Sequence, residues 1–198
     1  MNHLAHALLA DAGSAEFALG SAMGDFFRGM PDPPWPAERQ AGLRFHRAID
    51  GFTDRHPEFA AARRLFQPPF RRYAGILLDV WFDHLLVLGW DRIVADEPLD
   101  AFSQRWLALL EGRACELPAS LRAFIRWMQV HGLPAAYGEE PMLAAVFHGL
   151  SRRLSRPSPV ADALPALHAH ADALQQHFDA FFPDLVAHAH ESRRDLLD

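Results

Sequence analysis

The stretch Ile76-Leu77-Leu78-Asp79-Val80-Trp81-Phe82-Asp83-His84-Leu85-Leu86 is apolar on almost every side, yet carries two aspartates and a histidine. It lacks strict apolar/polar alternation and belongs to a longer apolar-periodic run, so it predicts a helix over about Phe70–Trp90. A helix that is apolar all round belongs in the middle of a core. Asp79 and Asp83, four apart, then share one face. Burying a carboxylate without a partner is costly, and buried charges are paired or bound to metal. Asp79, Asp83 and His84 therefore need cations: a divalent metal is one solution, and Arg28, Arg44 or Arg47 is another.

Outward from this helix the same period recurs in both directions. A first helix is expected at about residues 2–10, ended by Asp11-Ala12-Gly13. Ser14 caps a second helix running to about Arg28, before Gly29 and the Pro31–Pro36 stretch. A third spans about Pro36–Thr53, with proline at an early position where its missing N–H costs little, and a short one follows Pro57. Further helices cover about 98–112, 118–130 and 139–151. The last follows Pro157-Ser158-Pro159 and reaches nearly to the C-terminus, with a bend expected near Pro183. Strand-like alternation, internal repeats and low-complexity segments are missing, so the fold class is all-α, in a single helical domain over 1–198.

The bulk numbers agree. The chain has 198 residues, half of them apolar and 22% charged, enough for one proper core. No run of about 18 apolar residues predicts a membrane span, and no basic region precedes the first apolar stretch, as a secretory signal requires. The lone Cys115 suits a reducing compartment. Cytoplasm is the expected location. All 19 basic residues are arginine and the net charge is −6, which argues against general nucleic-acid binding. There is no Gly-rich phosphate loop, no Gly-x-Ser-x-Gly elbow and no Cys-x-x-Cys pair.

Other candidate ligands stand in short segments. His6 follows the apolar start, and Asp25 lies in Gly24-Asp25-Phe26-Phe27-Arg28-Gly29. His46, Asp50 and Asp54 follow one another at spacings of four along the third helix, forming a polar stripe. Taken singly, each segment reads as readily as an internal salt bridge. Together, mixed imidazole and carboxylate groups suit manganese, iron, zinc or magnesium, and such an ion polarises a phosphoryl oxygen and activates water.

The segments Leu4-Ala5-His6, Gly24–Gly29, His46-Arg47-Ala48-Ile49-Asp50 and Leu78–His84 resemble, in order and spacing, the motifs of the acyl carrier protein phosphodiesterases. Gly149-Leu150-Ser151-Arg152-Arg153 and Ala169–Leu174 are similar as well. That family is regarded as an outlying branch of the HD phosphohydrolases. The resemblance implies an all-α HD-type fold and hydrolysis of the phosphodiester joining 4′-phosphopantetheine to a serine of holo-acyl carrier protein. It also implies a divalent cation, usually Mn2+. The neighbours here read Asp83-His84 rather than His-Asp, so the fold likeness does not say which residue replaces which. On this reading His6, Asp25, His46, Asp50, Asp79, Asp83 and His84 form the metal centre and its surroundings. Arg28 or Arg47 clamps the phosphoryl oxygens, and Asp54 handles a proton.

Holo-acyl carrier protein, the implied partner, is strongly acidic. Binding it calls for a local basic patch drawn from Arg63-Arg64, Arg71-Arg72 or Arg152-Arg153 with Arg156. The C-terminal histidines His168, His170, His177, His188 and His190 read as exposed or packed side chains rather than a second centre. Phe178, Phe181 and Phe182 read as core, and Trp35 as the pin of a loop. Two other functions compete: an HD-type phosphohydrolase of a nucleotide or small phosphodiester, and a non-catalytic carrier-protein-binding module.

Overall fold

A computed structural model describes residues 3–27, 29 and 35–198. The described residues contain helices α1 (His3–Ala10), α2 (Ala15–Ala22), α3 (Ala37–Arg55), α4 (Pro57–Arg64), α5 (Ala74–Leu88) and α6 (Trp90–Ile93). They continue with α7 (Leu99–Gly112), α8 (Ala119–Val130), α9 (Glu140–Arg153), α10 (Leu164–His168) and α11 (Ala171–Leu197), and no strand occurs among them. The all-α expectation holds.

Helix α5 is the axis of the core: Leu77, Leu78, Phe82 and Leu86 are fully buried on it. The Phe82 ring meets Phe59 of α4 edge-on at 5.8 Å and Phe178 and Phe181 of α11 at 5.4 and 5.8 Å. The C-terminal phenylalanines are therefore core. Helix α5 is shorter than the expected Phe70–Trp90 at both ends: Arg71–Tyr73 forms a separate tight turn before it, and Gly89 ends it, its N–H still reaching Leu85 O at 2.9 Å. The chain then turns so that the Trp90 indole, buried, donates to Glu97 O at 2.8 Å.

Helices α2 and α3 cross almost backbone to backbone. A Cβ on Gly20 would lie 2.0 Å from Arg39 O, and one on Gly42 would lie 1.9 Å from Phe17 O. Only glycine fits either position, because nothing but main chain stands opposite. Arg39, buried beside this crossing, binds Glu16 at 2.7 Å and Glu116 at 2.6 Å and ties α2 and α3 to the turn after α7.

Ser14 caps α2 as expected, accepting from Phe17 N, but the helix stops at Ala22 and a single tight turn, Gly24–Phe26, follows. The expected final helix is also divided, into α10 and α11, by a turn at 169–170; α11 runs through Pro183 as one helix. Two of the histidines on it fasten it to other helices. His188 stacks on Phe52 of α3 at 4.4 Å, and His177 meets Glu58 of α4 at 2.7 Å. Trp35 packs on Phe27 at 4.7 Å and accepts from the Gln40 amide at 2.7 Å, so it does pin the connection into α3. No described helix is long and apolar enough to cross a membrane.

Candidate active site

Three elements bring their polar side chains to one place. Helix α1 contributes His3 and His6, one turn apart. The turn after α2 contributes Asp25, and α3 contributes His46 and Asp50, again one turn apart. His6 Nε2 lies 3.0 Å from Asp50 Oδ1. His46 Nε2 lies 3.4 Å from Asp25 Oδ1 and 3.3 Å from Asp50 Oδ2. His3 Nδ1 is 3.6 Å from Asp25 Oδ2. The His6 and His46 rings stack at 3.8 Å. Ligand atoms of His6, His46 and Asp50 all fall within 4.8 Å of one another.

Gly24 makes this approach possible. A Cβ there would stand 2.1 Å from His46 Cγ, so the backbone lies flat on the imidazole and Asp25 reaches over its edge. Helix α2 stops at Ala22, and the tight turn Gly24–Phe26 brings Asp25 to the ring.

Helix α1 itself is held by α5. Asp83 is fully buried and accepts the Leu4 N–H at 2.8 Å and the Ala5 N–H at 3.2 Å. These are first-turn donors that the helix cannot satisfy internally, at the positive end of its dipole. Asp83 thus finds a helix N-terminus where the sequence suggested an arginine or a cation, and both of its oxygens are in use. It sets where His3 and His6 sit. Even so, burial dominates its ionisation and pushes its pKa up to about 7.

The remaining expected residues are spread around this centre. Asp79 sits one turn before Asp83, its pKa raised by burial and by the neighbouring Asp50 and Asp54 carboxylates. His84 faces the other way: Nδ1 is 2.8 Å from Tyr137 O, and burial lowers its pKa. Asp54 is exposed on α3. Arg47, also exposed, donates to Gly29 O at 2.7 Å and holds the loop beside Asp25. Arg28 lies outside the described residues. The residue that sequence reasoning missed is His3, whose signal was its spacing of three from His6.

Burial and partners divide the charge. Burial lowers His46, but the Asp25 and Asp50 carboxylates outweigh it and raise the imidazole to about 9. Burial lowers both His6 and His3 to about 4. Asp25 resists the upward push of burial because His46 and His3 hold it at about 2, and against the same push His46 and His6 keep Asp50 well below the ordinary carboxylate range.

The chemistry of these groups fits a divalent cation. His6 Nδ1, both ring nitrogens of His46 and the Ser21 hydroxyl are buried without a hydrogen-bond partner. His46 Nε2 is near two carboxylates but aligned with neither. Orphaned buried nitrogens between carboxylates are the donor set an imidazole/carboxylate metal centre requires. Beside them is a space of about 20 Å³ bordered by His3, His6, Ser21, Asp25 and His46, with Trp106, Leu121, Phe124 and Met128 opposite. That is room for about one water molecule.

Fold and centre together define an all-helical protein with a mixed imidazole and carboxylate site set against an apolar wall. A family model described as acyl carrier protein phosphodiesterase matches residues 1–185. Proteins named acyl carrier protein phosphodiesterase are similar along almost their whole length. The one from Photorhabdus laumondii is 32% identical over 189 residues, covering 96% of this chain and 95% of its own. That from Yersinia pestis is 33% identical over 195 residues, covering 96% and 97%. That from Salmonella agona is 34% identical over 198 residues, with the same coverage. No solved structure gives a significant match. The chain belongs to the acyl carrier protein phosphodiesterase family.

Proposed function

We propose that this protein hydrolyses the phosphodiester linking 4′-phosphopantetheine to a serine of holo-acyl carrier protein, at a divalent cation held by His6, Asp25, His46 and Asp50. Family membership supports the reaction. The observation that carries the site is the convergence of His6, His46 and Asp50, with Asp25 against His46, beside a water-sized space lined by His6, Asp25 and His46. A cation bound there supplies Lewis-acid polarisation of the phosphoryl oxygen and a more acidic water.

The chain's own groups do the rest. Asp25 and Asp50, ionised throughout the physiological range, fix the charge of the centre and orient the His6 and His46 rings. His46 would have to be deprotonated to help hold such a cation. The wall of Trp106, Leu121, Phe124 and Met128 keeps bulk water from the reacting phosphorus. Water adds to phosphorus, the bond from phosphorus to the serine oxygen breaks, and the serine oxygen takes a proton. The phosphate departs on the pantetheine. Asp54, exposed on the outward end of the stripe, is placed to exchange protons with solvent. Arg47 steadies the loop that carries Asp25. Manganese is the first cation to test.

The test is incubation with holo-acyl carrier protein and MnCl2, followed by intact-mass analysis. Loss of the phosphopantetheine mass is expected, abolished by chelator, by Asp25→Ala and by His46→Ala. An unchanged mass with folded, manganese-loaded protein refutes the reading and turns attention to small phosphodiesters or to a non-catalytic carrier-binding role.

A further inference from the structure

A second cleft, of about 250 Å³, lies beside the centre and shares with it His3 and Phe124, whose rings meet at 4.3 Å. Trp127 of α8 and the buried Tyr137 form aromatic walls, and Ala145, Val146 and Gly149 of α9 form the opposite side. Exposed Arg152 and Arg153 stand at its rim, and the Arg153 charge is felt at His3. The walls are mostly apolar, with His131 and His148 as polar points and no carboxylate among the lining residues. His131 is oriented by its Nδ1, 2.8 Å from Trp127 O, which leaves Nε2 free for a ligand.

A cleft that adjoins the centre across His3 and Phe124 is placed to take one side of a phosphodiester bound there. On one side is a folded acidic protein, and on the other a slender, uncharged chain with a gem-dimethyl group and two amides. A narrow apolar cleft with a few polar points suits the second. The acidic protein meets its complement in the arginines outside. We propose that the α8–α9 cleft binds the pantetheine arm of holo-acyl carrier protein, with Arg152 and Arg153 facing the carrier at its mouth. This rests on the phosphodiesterase reading above.

Gly149 makes the idea testable without disturbing the fold. A Cβ there meets nothing within 4 Å, and Ala145, one turn earlier on the same wall, is exposed. Gly149→Leu and Ala145→Leu place side chains into the cleft and remove no packing. Wild type and both variants are assayed on holo-acyl carrier protein with manganese, with free pantetheine as inhibitor, alongside bound manganese and melting temperature. The expected result is at least a tenfold fall in kcat/KM and a matching rise in the pantetheine inhibition constant, with bound manganese and melting temperature held. Variants that keep both wild-type kcat/KM and wild-type pantetheine inhibition overturn the cleft assignment while leaving the phosphodiesterase reading intact. A loss of activity that travels with loss of manganese overturns it as well. A wild type that leaves holo-carrier protein uncleaved overturns both.

Discussion

Replacing Gly42 by alanine should destabilise the protein although alanine is the better helix former. The new methyl would stand 1.9 Å from Phe17 O, where ordinary contact begins at 3.4 Å, so α2 and α3 must separate by about 1.5 Å. The obstacle is main chain, with no side-chain rotamer to yield. The crossing is also clamped by fully buried Phe17, Leu43 and Phe45 and by the Arg39 ion pairs. Overpacking typically costs about 1–3 kcal/mol, and a rigid backbone contact belongs at or above the top of that range. Alanine returns about 1 kcal/mol of helix propensity, leaving a net loss of about 2 kcal/mol or more. Gly149→Ala is the matched control: mid-helix, with open space around the new methyl, it should gain up to about 1 kcal/mol. Urea denaturation followed by circular dichroism measures both, as midpoint shifts at constant slope. Because Asp25 follows α2 and His46 and Asp50 ride on α3, Gly42→Ala should also weaken manganese binding. A Gly42→Ala protein as stable as wild type refutes the backbone-contact argument.

Manganese binding near pH 7 should release about one proton, since His46 alone among the cluster's imidazoles is protonated there; calorimetry in buffers of different ionisation enthalpy counts it, and a count of zero or two contradicts the assignment. Asp83→Ala strands two buried first-turn N–H groups and should cost about 2–4 kcal/mol. Asp83→Asn keeps an acceptor there and should still bind manganese stoichiometrically; a complete loss of metal in the asparagine variant would make Asp83 a ligand instead of the anchor of α1. The folded pKa of His46, about 9, lies above its ordinary 6.5, so its stabilising contribution is full below pH 6.5 and is lost as pH rises through 9. Metal-free protein should therefore lose melting temperature between pH 7 and 9, and His46→Gln should flatten that slope; an unchanged slope in the variant excludes His46 as its source.

Much of the architecture was legible in the residues because helix formation is local. Period, Ser14, the glycines and the prolines mark where most helices begin and end, and the all-round apolarity of Ile76–Leu86 marks the core axis. The four-residue spacing of His46 and Asp50 put both on one face without reference to any other helix. The partners of those groups depend on distance across the fold, which no local pattern records. Asp83 had to be charged for, and the sequence offered arginines and a metal; the tertiary structure supplied the start of α1, about eighty positions away. His3 entered the site because α1 is anchored there, and Asp25 reaches His46 only because Gly24 allows the backbone onto the ring. The sequence by itself determined the helices and the stock of ligating side chains. Packing decided which of them converge, because a ligand set is a matter of ångströms between elements far apart in the chain.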